Sequence, residues 1–166
     1  LVRECLLQGD IDRAAQLLGR RYSIAGQVVR GRGIGAQLGF PTANIKPHHT
    51  AVPAQGVYAA RATIQGVSYP AAVNVGIAPT ISHTDLTIEA HILDFSRDIA
   101  GGGIELEFFQ RLRPERKFPS RDALVEQIAR DVQSVRMYFA ADDTSAGPRG
   151  PETSRLPQLP GTGSEA

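Results

Sequence analysis

The sequence predicts a small antiparallel β-barrel followed by a single helix. Short stretches with strand-like alternation follow one another between residues 22 and 112, and glycine-containing turns separate them. A long helical pattern comes only after the last of these stretches. Strands that no helix interrupts favour antiparallel pairing over βαβ units. The 166 residues are enough for one domain with a proper core.

Residues 1–20 predict a helical lead-in to this barrel. Gly9 can end a first helical piece, and Asp10 can cap a second one. The second piece has apolar residues at helical spacing, namely Ile11, Ala14, Ala15 and Leu18. Because both pieces are too short to fold alone, we interpret them as the tail of a preceding domain or as a packed lead-in.

The barrel domain is expected to span residues 21–140. Its predicted strands are 22–29, 56–64, 67–75, 86–93 and 103–112, with further strand expected after Pro41. Ser120 then caps a helix with an apolar stripe formed by Leu124, Ile128, Val132, Val135 and Phe139. Residues 141–166 have scarcely any large apolar side chain, so we expect a disordered tail.

A glycine run and a proline corner predict a nucleotide site. The glycines stand at alternate positions, Gly31, Gly33 and Gly35, and let a phosphate chain lie against main-chain N–H groups. Pro41 makes the following corner rigid, and Thr42 and Asn44 leave it two residues apart. In an extended segment their oxygens lie on one side, where they can complete the coordination of Mg²⁺ held by a nucleotide. An ordinary surface loop is the alternative interpretation.

Two further features suggest chemistry. Glu89 lies on the polar face of the strand 86–93, and a carboxylate near a bound phosphate can take a proton from an attacking hydroxyl. The alternative is a solvated glutamate on an open strand face. Arginines next to Phe118, between residues 111 and 118, can hold an anionic or planar ligand, although an exposed basic loop is equally compatible.

Several function classes are excluded or disfavoured. The net charge of +1 provides no bulk attraction to nucleic acid or anionic membranes. The single cysteine, Cys5, excludes an internal disulfide and fits a reducing compartment, and no signal sequence is evident, so a cytoplasmic protein is expected. The chain has neither a P-loop nor a dinucleotide-binding fingerprint, and no Ser/His/Asp or Cys/His set stands out.

Five motifs in order resemble the riboflavin kinase family, and more closely the kinase module at the C-terminal end of bacterial bifunctional FAD synthetases. They are 38–44 (LGFPTAN), 56–58 (GVY), 74–76 (NVG) with 79–80 (PT), 89–95 (EAHILDF), and 112–115 (LRPE) with Phe118. The resemblance covers about Tyr22 to Phe139. It implies a six-stranded antiparallel Greek-key barrel with a C-terminal helix. Residues 1–20 then resemble the segment joining the family's FMN adenylyltransferase module to the kinase.

The resemblance also implies an activity and a set of roles. The activity is transfer of the γ-phosphoryl of ATP to the ribityl 5′-hydroxyl of riboflavin, giving FMN and ADP, with Mg²⁺ as cofactor. By this analogy Glu89 is the catalytic base, and Thr42 and Asn44 hold the metal. The implied ATP-binding residues are Gly31, Gly33, Gly35, Thr42, Asn44, Ile92 and Asp94. The implied flavin-binding residues are Arg113, Arg116 and Phe118.

Departures from the family keep a second function class open. Ala36, Ala78 and Ala100 stand where the family usually has a Lys or Arg, an Asn, and an aromatic residue, which bears on ATP affinity. The alternative is therefore a weak or inactive module that binds flavin or nucleotide, although a pure binder has no need of Glu89. An oligonucleotide-binding barrel is a further rival. Such a barrel needs exposed aromatic side chains on which bases stack, and this chain has only six Phe, four Tyr and no Trp.

Overall fold

The computed structural model describes residues 1–31, 33–48, 51–79 and 84–145, which form six strands and four helices. The strands are β1 (Ser23–Val29), β2 (Ala43–Pro47), β3 (Gly56–Ile64), β4 (Val67–Pro79), β5 (Thr84–Ile92) and β6 (Gly103–Arg113). The helices are α1 (Val2–Gln8), α2 (Ile11–Leu18), α3 (Ile34–Gln37) and α4 (Arg121–Ser145). The five strands predicted at individual positions and the further strand after Pro41 are all present.

The six strands close into one antiparallel barrel in the order β1-β2-β5-β4-β3-β6. Strands β3, β4 and β5 are consecutive neighbours, and β6 returns to lie beside β3, which is the Greek-key arrangement. The first and last strands close the barrel, since Ser23 to Gln27 pair with Glu107 to Gly103. The predicted barrel is confirmed.

The main core fills the barrel with inward-facing aliphatic side chains around an aromatic pair. The rings of Tyr58 and Phe108 meet edge to face with their centres 5.3 Å apart, and neither residue is exposed. The lead-in extends this core, because Leu6, Ile11 and Ala14 are buried in the same cluster. Gly9 ends α1 with a φ of 76°, and the Asp10 carboxylate accepts from the Arg13 N–H at 3.0 Å, as predicted.

Helix α4 covers one side of the barrel and forms a second, smaller core. Val135 and Phe139 pack there against Ala59, Ala72 and Leu93. The helix begins after Ser120, whose Oγ accepts from the Ala123 N–H at 3.1 Å. It continues to Ser145, so residues 141–145 are helical and the predicted start of a disordered tail at 141 is corrected; the remaining tail lies outside the described residues. No helix among the described residues combines the length and apolar character needed to cross a membrane.

Candidate functional site

Two neighbouring cavities open on the barrel surface. The first, which we name the loop cavity, has a volume of about 450 Å³ and lies between the β1–β2 connection and the segment after β5. The second, the helix cavity, has a volume of about 760 Å³ and lies between the barrel and the first half of α4. Thr42 lines both cavities, so the two sites meet at its side chain.

Most of the residues predicted to bind ATP line the loop cavity. These are Gly31, Gly33, Thr42, Asn44 and Ile92. Gly35 instead lines the helix cavity, and Asp94 is not among the described residues that line either one. The glycine run therefore forms a wall between the two cavities and contributes to both.

The first and third glycines of the run are required because other atoms pack directly against them. A Cβ on Gly31 would overlap the side-chain amide of Asn44, and a Cβ on Gly35 would overlap the carbonyl oxygen of Phe40. The Thr42 Oγ1 would lie 3.1 Å from a Cβ on Gly35. The loop thus lies directly on both predicted metal ligands, which fixes the direction of their oxygens.

The connection after Gly33 contains one turn of helix that the sequence did not predict. Gly33 begins α3 with a left-handed φ of 69°, and the Phe40 N–H donates to the Gly35 carbonyl oxygen at 2.8 Å, which closes the loop. A four-residue helix is too short to show an apolar period, so sequence pattern alone offered no signal for it.

Glu89 lies in the middle of β5, where its neighbours come from two other strands. Asn44 on β2 and Asn74 on β4 are its cross-strand partners. Glu89 and Asn74 line the helix cavity and Asn44 lines the loop cavity, so Glu89 stands at the boundary between the two. Glu89 is thus half-buried beside a cavity, which differs from an exposed position on an open strand face.

The environment of Glu89 favours its protonated form. Partial burial raises the pKa of the carboxyl group, and the negative charge of Glu115 raises it further. A carboxylate with a raised pKa is a stronger base than an exposed one. Among the described residues, no group of three or more His, Cys, Asp and Glu side chains is placed to hold a metal ion. Neutral oxygens of Thr42 and Asn44 suit a hard cation that brings its own phosphate ligands.

His91 is a site residue that sequence reasoning did not single out. It lines the helix cavity two residues after Glu89, and its Nδ1 lies 2.7 Å from the Pro41 carbonyl oxygen. Because that oxygen can only accept, Nδ1 is the donor. The imidazole also meets the Phe40 ring edge to face at 5.6 Å. His91 therefore fixes the proline corner that carries Thr42 onto β5.

The three residues predicted to hold flavin come together at the far end of the helix cavity. Arg113, Arg116 and Phe118 all line it, and the two guanidinium carbons lie 5.5 and 4.7 Å from the Phe118 ring centre. Arg113 also forms a bidentate pair with Asp131 of α4, with Nη2 2.9 Å from Oδ2. Asp131 was not predicted, although an acidic residue between Ile128 and Val135 of the apolar stripe was a usable signal.

Asp94 occupies a position different from that of the predicted nucleotide ligands. Its φ of 54° turns the chain after β5, and its two oxygens accept from Arg136 of α4 at 2.7 and 2.9 Å. The hydrogen bond from Arg136 lowers the pKa of this carboxyl group. By binding Arg136 of α4, the Asp94 side chain holds in place the segment after β5, which lines the loop cavity.

These features define a class of protein, namely a small closed antiparallel barrel with two adjoining cavities and a half-buried carboxylate at their boundary. The particular family follows from comparison. Residues 18–139 match the family model described as Flavokinase, riboflavin kinase. The chain belongs to the riboflavin kinase family.

The names of the curated relatives include a second activity, that of an FMN adenylyltransferase. The bifunctional riboflavin kinase/FMN adenylyltransferase of Haemophilus influenzae is 40% identical over 139 residues, which is 83% of this chain and 45% of that protein. The enzyme of the same name from Bacillus subtilis is 38% identical over 143 residues, covering 84% and 45%. The chain thus spans less than half the length of these relatives.

Solved structures share the fold. A crystal structure described as riboflavin kinase from Trypanosoma brucei has a TM-score of 0.53 and 28% identity, covering 71% of this chain and 76% of that one. A structure described as a macrolide-efflux protein from Streptococcus pneumoniae has a TM-score of 0.77 and 35% identity, covering 81% and 45%. That second description differs from those of the other relatives, and only the fold is taken from it.

Proposed function

We propose that this chain is an ATP-dependent riboflavin kinase that produces FMN and ADP. The observation that supports this proposal most directly is the position of Glu89, a half-buried carboxylate with a raised pKa at the boundary of two adjoining cavities. A phosphoryl transfer needs a donor and an acceptor held next to each other, together with a group that takes the acceptor's proton.

The loop cavity is the proposed ATP site. Its backbone at Gly31 and Gly33 can approach the phosphates closely, and Ile92 supplies an apolar contact. We assign Mg²⁺ to Thr42 and Asn44, where the ion would neutralise charge on the phosphates. Gly35 acts by packing on Thr42, and Asp94 acts by fixing the wall of the cavity through Arg136.

The helix cavity is the proposed riboflavin site. Its volume of about 760 Å³ lies within the usual range for a cofactor-sized ligand. The apolar residues Leu124 and Ile128 of α4 line it, and Arg113, Arg116 and Phe118 form its far end. The flat isoalloxazine ring would contact this end, which leaves the ribityl chain to reach toward Glu89 and Thr42.

The proposed reaction uses Glu89 as the base. The carboxylate takes the proton of the 5′-hydroxyl while that oxygen bonds to the γ-phosphorus of ATP. The bond between the γ-phosphorus and the oxygen bridging to the β-phosphate breaks, and its electron pair leaves with ADP. Positioning by the two cavities provides the remainder of the rate enhancement.

The first test is FMN formation from riboflavin, ATP and Mg²⁺, measured by separating the flavins. Glu89→Gln keeps the shape of the side chain but removes the base, and we expect kcat to fall by about 100-fold or more. Glu105→Gln is the matched control, because Glu105 is exposed on β6 and is not among the described residues that line either cavity. Equal activity of Glu89→Gln and wild type would contradict the proposed role.

The departures support one alternative, a module that binds its ligands but transfers phosphate poorly. Ala100 lines the loop cavity with a small side chain, where the family resemblance expects an aromatic one. Wild-type chain that binds riboflavin and nucleotide without forming FMN would favour this alternative. Restoring an aromatic residue at position 100 would then be expected to recover activity.

We further propose that the chain acts as the kinase part of a bifunctional protein, as the names of its relatives suggest. The packing of α1 and α2 on the barrel supports a fixed connection on that side of the domain. The lone Cys5 favours a reducing compartment, and we propose that the protein works in the cytoplasm.

A further inference from the structure

Helix α4 holds Arg113 and Arg116 of the helix cavity through a continuous set of hydrogen bonds. Arg113 donates through Nε to Asp131 Oδ1 and Oδ2 at 3.0 and 3.1 Å, and through Nη2 to Oδ2 at 2.9 Å. Gln127 lies one helical turn earlier. Its amide nitrogen donates to Asp131 Oδ1 at 3.0 Å, and its amide oxygen accepts from Arg116 at 3.2 Å.

The burial of Asp131 calls for an explanation other than attachment of the helix. Asp131 is only 5% exposed, and it is the single charged residue among the buried ones that the structure describes. A buried carboxylate costs free energy even when it is paired, and an apolar side chain often holds two elements together equally well. Ile128 and Val135 on the same stripe are such side chains. The charge therefore serves the arginine that it binds.

The two guanidinium groups that α4 holds both contact the same aromatic ring. Arg113 and Arg116 lie over Phe118, with their guanidinium carbons 5.5 and 4.7 Å from the ring centre. Asp131 neutralises the charge of Arg113 and occupies its Nε and Nη2. Arg116 donates instead to the neutral amide of Gln127. The Arg113 guanidinium over Phe118 is thus a neutralised flat face, which suits contact with a planar ring better than with a phosphate.

We propose that Asp131, assisted by Gln127, is a positioning residue that shapes the acceptor end of the helix cavity. Asp131 lines the helix cavity, but its two oxygens accept from Arg113 and Gln127, so it acts through Arg113. The identity of the ring as the isoalloxazine of riboflavin rests on the proposed kinase function. The shape of the ring site is then set from α4, an element that carries neither Glu89 nor Thr42.

A second ion pair on α4 provides a matched control. Arg136 binds Asp94 in the same bidentate manner, with distances of 2.7 and 2.9 Å, and also joins α4 to the barrel. This pair is exposed, and Arg136 is not among the described residues that line either cavity. Arg136→Gln removes one contact of the helix without disturbing Phe118 or its arginines.

The experiment compares wild type, Asp131→Asn and Arg136→Gln in the full chain. Riboflavin affinity is measured by quenching of flavin fluorescence, KM for each substrate by FMN formation, and folding by thermal denaturation. In Asp131→Asn the amide nitrogen faces the donors of Arg113, and we expect Kd and KM for riboflavin to rise about tenfold. KM for ATP should stay within about twofold of wild type in Asp131→Asn. In Arg136→Gln the Kd and KM for riboflavin should stay within about twofold of wild type. KM for ATP is the constant that should change in Arg136→Gln, because Arg136 holds Asp94 at the wall of the loop cavity.

A double-mutant cycle separates positioning from general stability. If Asp131 acts through Arg113, the double variant Asp131→Asn with Arg113→Gln should bind riboflavin within about twofold of Arg113→Gln alone. Additive losses, or a lowered melting temperature with unchanged Kd for riboflavin, would overturn the proposal. Should Asp131→Asn fail to fold, Gln127→Leu takes its place, with an expected rise of about threefold in riboflavin Kd. No rise in that variant would equally overturn it.

The outcomes also distinguish this inference from the proposed function. Riboflavin binding by wild type without FMN formation would contradict the kinase activity, while Asp131→Asn would still decide the positioning role. A wild-type chain that fails to bind riboflavin would overturn both.

Discussion

The loop cavity and the helix cavity meet at Thr42, but they are built in different ways. The wall of the loop cavity that carries the proposed metal ligands depends on glycine backbone, because Gly31 packs directly on Asn44. The helix cavity is formed by long charged and aromatic side chains, which α4 holds from the side. The geometry of the loop cavity therefore depends on how closely the glycine backbone packs on the proposed metal ligands. The geometry of the helix cavity depends on how firmly α4 holds the side chains that line it.

This difference predicts different sensitivities to mutation. In the loop cavity a single added carbon atom should do more damage than the loss of a side chain, because the packing leaves no space for it. In the helix cavity the loss of a ring or of a charge should weaken one ligand and spare the other.

The largest expected effect is therefore that of Gly31→Ala. A Cβ at this position overlaps the Asn44 amide and displaces a proposed metal ligand, so kcat/KM for ATP should fall by about 100-fold. Riboflavin affinity should remain close to that of wild type. Gly103→Ala is the control, since nothing lies within 4 Å of a Cβ at that glycine. Similar losses of riboflavin and ATP binding in Gly31→Ala would mean that the two cavities are not built independently.

A smaller effect, confined to the other cavity, is expected for Phe118→Ala. This change removes the ring that Arg113 and Arg116 contact, and KM for riboflavin should rise about tenfold, corresponding to about 1.4 kcal/mol. KM for ATP should not change. Steady-state kinetics with each substrate varied in turn measure both constants, and a rise in KM for ATP alone would contradict the assignment of the helix cavity to riboflavin.

The smallest effect is a displacement of the pH profile in Glu115→Gln. Glu115 raises the pKa of Glu89, so its neutralisation should lower that pKa. The base must be ionised to act, and activity is lost as the pH falls through its pKa. The acid limb of the kcat profile should therefore move to lower pH in the variant. An acid limb that stays in place, or moves to higher pH, would contradict the inference that Glu115 raises the pKa of Glu89.

The fold could be predicted because its signals are local. Alternation, glycine turns and the Ser120 cap each involve a few neighbouring residues, and the barrel follows from strands without intervening helices. The loop cavity could be predicted for the same reason. Four of its residues, Gly31, Gly33, Thr42 and Asn44, lie within one short stretch of the sequence.

Features that depend on contacts between distant segments could not be predicted in the same way. Asp131 is 18 residues from Arg113, and Arg136 is 42 residues from Asp94, so neither ion pair leaves a local pattern. The placement of Gly35 in the helix cavity depends on α3, a helix too short to show periodicity. Local sequence rules do not extend to features for which tertiary contacts decide which side of a loop a residue faces.

The barrel is closed by pairing between its first and last strands in the sequence, and this pairing has a consequence for folding kinetics. Ser23 to Gln27 must find Glu107 to Gly103, a contact between segments separated by most of the domain. Such non-local pairing costs loop-closure entropy before it contributes any stability, and it slows folding. On the ribosome, the strand β1 would wait without its partner until β6 had been synthesised and released from the exit tunnel.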